Sequence, residues 1–554
     1  MDATPFFIAR RPGMPPGRGP FLALAGLPRI EAEPALRKAL APELIESGDF
    51  AGDWDDCSLD GKPIRDSRSW HDLLAAGRLA NVIGAFAITA REPGGAVYLA
   101  RDPVGERTLF YAQTPEFLLA ASSPRLVVAT GLIDRELDLH AVAAYLAYAY
   151  VPGAGTLFAN VRELLPGEML TWRRGRGGRS EPFWRLPAEA EETTSEPALR
   201  DELRHLLESA IRRRLPGPDE PVAATLSGGI DSSLVVALLR RLHPAPVHTF
   251  SISFGPGYAN ELPHSSLVAQ HCATSHHILE IPPDTVLAHF DETMALLAEP
   301  IGDPLTVPNL LLFRAAAPCA GAVFNGEGGD PSFGGPKNQP MLLSELFGGG
   351  APVEGGRARD YLRAHGKCFD DFDAMLAPEL ADAVRTHPLE EDLRPWMDDP
   401  RWPHYIARLQ AINVSFKGAH HILPKVHALA GGGGVLPKSP LFDQRIVEFA
   451  LRAPAPLKVH GAVEKYLLKE AVRDLLPPQI VDRPKSGMLV PVEKWFEGPM
   501  RAEAKRRLLD GLSPLGLIRR DYLERLLDRK LPGLRPRIGA KIWLLLTLES
   551  WLRA

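Results

Sequence analysis

The pattern of hydrophobic and polar positions changes near residue 190 of this 554-residue chain. Before that point, short apolar runs at residues 82–88 and 96–100 are separated by a Pro-Gly-Gly sequence. Short runs bounded by such residues are typical of β-strands joined by tight turns. The first part of the chain is therefore predicted to consist of short strands.

Beyond an acidic, alanine-rich linker at residues 186–200, the pattern alternates between strands and helices. Apolar runs at residues 222–224, 247–254, 277–281 and 322–324 predict strands, with helices predicted at residues 234–239 and 261–271. Strands that alternate with helices form a parallel, doubly wound sheet, and ligands bind such sheets at the carboxyl ends of the strands. The loops that follow the strands are therefore the expected place for chemistry.

The first of these loops, residues 225–233, has the sequence Thr-Leu-Ser-Gly-Gly-Ile-Asp-Ser-Ser and joins a predicted strand to a helix. Backbone N–H groups converge at a helix N-terminus and favour anions, and glycines allow the backbone to approach a phosphate closely. Asp231 would repel a phosphate unless a hard cation such as Mg2+ bridges the two. We predict a metal ligand at Asp231, and nucleotide-binding residues at Leu226, Ser227, Gly228, Gly229, Asp231, Ser232 and Ser233.

This loop lacks the G-x-x-x-x-G-K-[ST] pattern of Walker-type loops. It resembles instead the S-G-G-x-D-S pyrophosphate loop of the ATP pyrophosphatases. The resemblance implies that ATP is cleaved between its α- and β-phosphates and that a substrate is adenylated. An ordinary glycine-rich turn is the alternative, but it does not explain the full string in its strand–turn–helix context.

The first part of the chain resembles the class II glutamine amidotransferase domain, and this implies an antiparallel αββα sandwich of the N-terminal-nucleophile type over residues 1–190. The similarity lies, in this order, in residues 84–87, 101–111, 155–161 and 165–168. That family uses a cysteine directly after the initiator methionine as its nucleophile. This chain has Asp2 there and lacks the family's N-G-E segment. We therefore expect a glutaminase fold without glutaminase chemistry.

The loop after the fourth predicted strand, residues 325–335, resembles the G-E-G-x-D-E-x-F-G-G loop of the asparagine synthetase family. This likeness covers nearly the whole chain. It implies that Asp330 shares the metal with Asp231, and that Glu327 orients or deprotonates an attacking amine as a general base. Pro331 stands where the family usually has a second glutamate.

The same resemblance implies an α/β synthetase domain with a helical C-terminal part over residues 197–554. Lys465 maps to the lysine that stabilises negative charge during amide formation, although by its residue type alone it is equally a solvated helix lysine. Lys485 is expected to hold pyrophosphate. Gly326 and Ile252 are expected to line the nucleotide, with the adenine against the strand that contains Ile252.

Other stretches of the sequence indicate a structure or function less specifically. Residues 299–304 fit the family's substrate-facing loop, whereas residues 336–435 keep little of the resemblance, so the substrate pocket is expected to be reshaped. His276 and His277 look like half a metal site, but neighbouring side chains of a strand face opposite ways, which favours a structural role. The arginines at residues 212–214 are interpreted as a solvated helix end, with phosphate binding as the alternative.

Composition narrows the classes of function. The 63 basic and 68 acidic residues give a net charge of −5, which offers no electrostatic reason to expect a nucleic-acid partner. No apolar run is long enough to span a membrane, and the start of the chain is a poor secretion signal. The four cysteines lack C-x-x-C spacing, so they indicate neither a zinc site nor a disulfide framework. A cytoplasmic protein is expected.

Together these features predict an ATP- and Mg2+-dependent, AMP-forming ligase that couples the carboxylate of a peptide or small molecule to an amine. Relatives without the cysteine include β-lactam synthetases and the macrolactam-forming cyclases of lasso peptides. The altered pocket favours a cyclase of a lasso-type precursor peptide, with the leader peptidase as a partner. The alternatives are an asparagine synthetase that uses free ammonia and a small-molecule cyclase resembling β-lactam synthetases. The charge balance argues against a tRNA modifier, and the intact ATP loop argues against an inactive scaffold.

Overall fold

A computed structural model of the protein describes residues 4–10, 19–40, 45–189, 195–335, 341–342, 356–461, 463–484, 489–531 and 537–554. Contacts divide the chain into two compact units. Unit 1 comprises residues 1–141, 151–186 and 418–424, and unit 2 comprises residues 142–150, 187–417 and 425–554. Asp2 and Lys485, to which the sequence assigned roles, lie outside the described residues.

Unit 1 is built from two six-stranded antiparallel sheets. Its strands are β1 (Phe6–Arg10), β2 (Phe21–Ala25), β3 (Ile45–Ser47), β4 (Phe50–Leu59), β5 (Lys62–Pro63), β6 (Val82–Arg91), β7 (Val97–Arg101), β8 (Phe110–Gln113), β9 (Leu118–Ala121), β10 (Arg162–Glu163), β11 (Glu168–Arg173) and β12 (Gly177–Pro182). The strand orders are β10-β8-β9-β2-β1-β3 and β12-β11-β7-β6-β4-β5.

The two sheets pack against each other around an apolar core. Phe6 of the first sheet shares this core with Leu99 and Trp172 of the second, and all three side chains are buried. Helices flank the sheets at α1 (Arg29–Leu40), α2 (Ser67–Ala75) and α3 (Pro124–Ala129). Helices α1 and α3 contact the first sheet, and Trp70 of α2 packs on Phe86 of the second. This layering confirms the predicted αββα sandwich.

The Arg-Asp-Pro-Val-Gly-Glu-Arg stretch at residues 101–107 forms a turn after β7. The buried Asp102 carboxylate accepts hydrogen bonds of 2.9–3.2 Å from the backbone N–H groups of Val104, Glu106 and Arg107. Burial raises the pKa of Asp102, although Arg101 and these backbone donors oppose the shift. Much of the sequence resemblance in this region therefore reflects a structural turn.

Unit 2 is built on a five-stranded parallel sheet with the order β15-β14-β13-β16-β17. Its strands are β13 (Val222–Thr225), β14 (Val247–Ser253), β15 (Ser275–Glu280), β16 (Ala322–Phe324) and β17 (Leu436–Lys438), and a hairpin adds β18 (Val459–His460) and β19 (Val463–Glu464). The four predicted strands are confirmed, whereas β17 was not predicted. Strand β17 contains Pro437, which its position at the sheet edge tolerates.

The remaining helices are α4 (Leu139–Tyr148), α5 (Glu196–Arg214), α6 (Ile230–Leu242), α7 (Leu262–His271), α8 (Pro283–Ala288), α9 (Phe290–Leu296), α10 (Thr306–Ala316), α11 (Gly329–Phe333), α12 (Gly356–Ala364), α13 (Phe372–Met375), α14 (Pro378–Thr386), α15 (Leu389–Met397), α16 (Tyr405–Ile412), α17 (Leu423–Gly433), α18 (Gln444–Arg452), α19 (Ala455–Lys458), α20 (Tyr466–Ala471), α21 (Pro478–Val481), α22 (Val492–Glu497), α23 (Arg501–Arg506), α24 (Arg520–Leu527) and α25 (Ile538–Arg553). Two π-helical segments occur at Asn413–Ile422 and Arg507–Leu512. Within the described ranges, none of the helices combines the length and the apolarity needed to cross a lipid bilayer.

The direction of the chain through the sheet places a crevice in unit 2. Helices α5, α6 and α7 share one apolar core with Val222, Ala224 and Phe324 of the strands. The chain runs from β13 outward to β14 and β15, and then crosses back to β16 on the other side of β13. Such a reversal of direction opens a binding crevice at the carboxyl ends of the two strands where it occurs. The crevice therefore lies where β13 and β16 end.

Candidate active site

The loop that follows β13 holds its shape through its own hydroxyl groups. The Ser232 hydroxyl accepts from the backbone N–H of Ser227 at 3.2 Å, and it lies 3.1 Å from the Ser227 hydroxyl. Gly228 has φ +78, and a Cβ there would lie 2.6 Å from the backbone nitrogen of Ser265. The loop thus turns sharply into the N-terminus of α6, where backbone N–H groups favour an anion. Ser233 is completely buried within α6.

The loop that follows β16 packs directly against this turn. A Cβ on Gly326 would lie 2.6 Å from the backbone carbon of Asp231, and a Cβ on Gly329 would overlap the Asp231 carboxylate. Gly328, between them, has φ +110 and lies beside Leu441. Only glycines allow the two loops to approach so closely. This approach brings Asp330, in the first turn of α11, to Asp231.

Lys465 joins the two carboxylates. Its Nζ lies 2.5 Å from Asp231 Oδ2 and also contacts Asp330 Oδ1. The lysine side chain is completely buried, whereas that of Asp330 is 35% exposed. Two carboxylates and one ammonium leave a net negative charge at the carboxyl ends of β13 and β16. Residues far apart in sequence thus form one compact charged centre.

The backbone at Lys465 is strained. Lys465 precedes α20 and has φ +55, a left-handed conformation that costs a non-glycine residue about 1–3 kcal/mol. Its carbonyl nevertheless accepts from the backbone N–H of Lys469 at 2.9 Å, so the strained residue begins the helix. The surrounding structure therefore fixes the direction of the lysine side chain, which is the behaviour expected at a functional position. No sequence pattern predicted this conformation.

Glu327 belongs to a second charged cluster in the same crevice. Its backbone N–H donates to Asn325 Oδ1 at 3.1 Å. Lys425 Nζ lies 2.6 Å from Asp303 Oδ2. Burial would lower the pKa of Lys425, but the carboxylates of Asp303 and Glu327 outweigh this effect and raise it. Sequence reasoning missed Lys425, which lies in the stretch where little resemblance was found.

A small, open pocket lies beside Asp330. It is lined by Asp330, Pro331, Gly335, Met341, Tyr361, Ala364, His365, Asn413 and Lys417. The Tyr361 hydroxyl donates to Asn413 Oδ1 at 3.0 Å, which ties α12 to the π-helical segment. π-Helical segments are frequent at functional sites. The lining includes the ammonium of Lys417, the imidazole of His365 and the amide of Asn413 next to the charged centre, and the sequence predicted none of these three residues.

Of the remaining predicted residues, the structure describes Ile252 but not Lys485. Ile252 is buried near the carboxyl end of β14, beside the strand that leads into the first loop. Lys485 is outside the described residues, but Arg483 donates to the Gly228 carbonyl at 3.3 Å and to Glu261 Oε1 at 2.6 Å. Arg483 therefore buttresses the first loop. Its sequence stretch carried the family resemblance, but no role was assigned to it.

Two of the three arginines in the last turn of α5 are not solvated. Arg213 and Arg214 bind Asp443 Oδ2 at 2.7 and 2.9 Å, and Arg445 binds the same carboxylate. Burial would raise the pKa of Asp443, but these guanidinium groups outweigh it and hold that pKa well below its usual range. Because Asp443 is buried and paired, the cluster joins the end of α5 to the start of α18. The prediction of a solvated helix end was wrong for Arg213 and Arg214.

Comparison with known proteins agrees with the sequence resemblance. The sequence profile of a family described as asparagine synthase matches residues 202–553, and that of a glutamine amidotransferase domain matches residues 74–184. The glutamine-hydrolyzing asparagine synthetase 1 of Bacillus subtilis is 24% identical over 482 residues, which cover 82% of this chain and 75% of the relative. A putative asparagine synthetase of Mycobacterium bovis is 27% identical over 72% of this chain and 66% of the relative. The carboxyethyl-arginine beta-lactam-synthase of Streptomyces clavuligerus is 25% identical over 75% of this chain and 66% of the relative.

Proposed function

The chain belongs to the asparagine synthase family and is an ATP-dependent carbon–nitrogen ligase, and we propose that it closes a macrolactam ring in a lasso-type precursor peptide. The observation that carries the ligase chemistry is the charged centre of Asp231, Lys465 and Asp330 beside the loop of residues 226–233. Such a centre combines an anion site at a helix N-terminus with carboxylates that suit a cation.

The first half of the proposed reaction is adenylation. The backbone N–H groups of the first loop bind the phosphates of ATP, and a carboxylate oxygen of the substrate attacks the α-phosphorus. The bond between the α-phosphorus and the bridging oxygen breaks, pyrophosphate leaves, and an acyl adenylate remains. Asp231 and Asp330 converge on one cationic group already, so their oxygens fit Mg2+, which would neutralise phosphate charge when bound.

The second half is acyl transfer. The amine nitrogen attacks the acyl carbon, AMP leaves with the bonding electrons, and the amine loses a proton to Glu327 as general base. Lys465 stabilises the negative charge that develops on the acyl oxygen and on AMP. Its ammonium is bound to Asp231 and Asp330 in this structure, so it serves the reacting groups only after it leaves those oxygens.

We propose that unit 1 no longer supplies ammonia. Asp2 occupies the position of the family's cysteine nucleophile, and an aspartate lacks a thiolate for attack on an amide. The purified protein is therefore expected to release no glutamate from glutamine above background. Glutamate release that depends on the protein would contradict this part of the proposal.

The proposed substrate is a peptide whose own amine closes the ring. The pocket lies directly beside Asp330, where groups attached to the reacting carboxylate could be accommodated, and Pro331 in its lining replaces a charged residue of the family pattern. We propose a cytoplasmic enzyme that works with a leader peptidase and needs neither nucleic acid nor membrane. The likeness to a beta-lactam synthase supports a second candidate, a small-molecule cyclase. An asparagine synthetase that uses ammonia is the third.

Mass spectrometry of the products of three parallel reactions distinguishes the three candidate functions. The protein is incubated with ATP and Mg2+ and with a linear peptide carrying an acidic side chain, with an N-carboxyalkyl amino acid, or with aspartate and ammonium. The proposal predicts loss of one water from the peptide without added ammonium. Formation of asparagine, or of a β-lactam, in place of the cyclic peptide would assign the enzyme to one of the alternatives.

A further inference from the structure

A cluster of possible metal ligands lies at the opposite end of the unit 2 sheet from the active site. One ring nitrogen each of His248 and His277 and the sulfur of Cys319 lie within 4.8 Å of one another. His248 is near the amino end of β14, His277 is near that of β15, and Cys319 follows α10. The active-site loops, in contrast, follow the carboxyl ends of the strands. The two sites are therefore distinct.

The fold brings these three side chains together from separate elements. In the parallel pairing of β14 with β15, His277 lies opposite Phe250, and His248 is two residues before Phe250. Side chains two residues apart on a strand share one face of the sheet. Helix α10 packs on β14, and the turn after it presents Cys319, whose N–H donates to the Ala316 carbonyl at 2.9 Å.

The spacing of the ring nitrogens suits a tetrahedral metal ion. His248 Nδ1 and His277 Nε2 are 3.3 Å apart. Zinc binds histidine nitrogens at about 2.0–2.1 Å, and two such ligands at a tetrahedral angle lie about 3.3 Å apart. The His277 ring is held in place because it stacks on Phe250, with centroids 4.7 Å apart and an interplanar angle of 13°. The ligand atoms are thus positioned without a metal.

The exposure of the cysteines also suits a metal site at Cys319. Cys319 is only partly buried, whereas Cys57, Cys272 and Cys368 are buried. Burial raises the pKa of Cys272 to about 11 and that of Cys368 to about 12. Cys319 is therefore the cysteine most accessible to a metal ion.

We propose that His248, His277 and Cys319 form a zinc site that ties β14 and β15 to the turn after α10. Three protein ligands and the exposed position of His277 leave a fourth coordination position for water. The site does not depend on the proposed ligase function. The sequence analysis considered His276 together with His277, whose side chains face opposite sides of the sheet. It did not predict that His248 and Cys319 lie beside His277.

Binding of Zn2+ alone to the full-length, metal-free protein tests the site. We expect calorimetry to show one zinc ion bound per chain. His277→Ala or Cys319→Ser should each lower the zinc affinity by more than about 100-fold. Loss of a direct ligand should lower the affinity more than changes to residues around the ligands, which typically lower it about 10–100-fold. The matched control is His276→Ala, on the same strand but bonded to Thr249 at 2.9 Å, and it should bind zinc normally. Circular dichroism checks that each variant is folded.

Cobalt(II) gives a second readout that identifies the ligands. Bound to wild-type protein, it should produce a sulfur-to-cobalt charge-transfer band and the visible spectrum of a tetrahedral ion. Cys319→Ser should lose the charge-transfer band, and His276→Ala should keep it. Absence of stoichiometric zinc binding by wild-type protein, or binding that survives both His277→Ala and Cys319→Ser, would overturn the proposal.

Discussion

The crevice of unit 2 has one side formed by two loops, called the phosphate side after the ligand proposed for it, and a pocket side, and the chain specifies them in different ways. On the phosphate side, the loops of residues 225–233 and 325–335 meet so closely that a Cβ on Gly326 or Gly329 would clash with Asp231 or Ser232. On the pocket side, α12 and the π-helical segment line an open space. Close backbone contacts leave few acceptable residues, whereas the wall of an open pocket can change without loss of the fold. The phosphate side is thus suited to a common reaction and the pocket side to individual substrates.

The largest effect is expected from Asp231→Ala. This change removes one of two carboxylates at the centre and leaves the buried Lys465 ammonium with Asp330 alone. Both the cation site and the balance of charge are lost, so amide formation should fall by more than about 1000-fold. Steady-state kinetics with folded protein measures the effect, and turnover within tenfold of wild type would contradict the assigned role.

Lys465→Ala should separate the two halves of the reaction. Its cation matters most where negative charge develops in the transition state, and loss of one such donor typically costs about 100–1000-fold in rate. We expect near-normal ATP affinity by calorimetry and strongly reduced amide formation in single turnover. Lys465→Arg should also be poor, because a planar guanidinium does not replace a compact ammonium. The alternative of a solvated helix lysine is wrong because the side chain is buried, and normal amide formation by Lys465→Ala would show that this buried lysine has no part in the reaction.

Gly329→Ala tests the close contact between the loops. Its Cβ would overlap the Asp231 carboxylate, and a displacement of about 1 Å at a reacting centre can cost about 100-fold in rate. The matched control is Gly431→Ala in α17, where no atom lies within 4 Å of the added Cβ. The control should keep full activity and gain stability, because alanine favours helix over glycine by about 1 kcal/mol. Equal activity of both variants would show that the contact is not needed.

The smallest effect on catalysis is expected from a substitution on the pocket side. Lys417→Ala should raise KM for the carboxylate substrate about tenfold with kcat within about twofold, since it removes a charged contact that substrate and transition state share. The exposed Lys494 provides the control, Lys494→Ala, which should change neither constant. A matching loss in kcat for Lys417→Ala would place this lysine with the catalytic groups instead.

The sequence specified the phosphate side far better than the rest of the site. The first loop and the strand before it were recognisable because glycines, serines and an apolar run act locally. Strand β17 was missed because three residues that include Pro437 carry no strand pattern, and the sheet edge alone makes them a strand. The pairing of Lys425 with Asp303 spans 122 positions and leaves no local signal. The Arg213–Asp443 pair was missed for the same reason.

The products of ATP turnover test the central claim most directly. The account holds that the centre of Asp231, Asp330 and Lys465 supports attack on the α-phosphorus of ATP. Chromatography of the nucleotides from a substrate-dependent reaction should therefore find AMP and pyrophosphate in a one-to-one ratio with each amide bond formed. ADP and inorganic phosphate, formed in the same ratio to the amide, would contradict it.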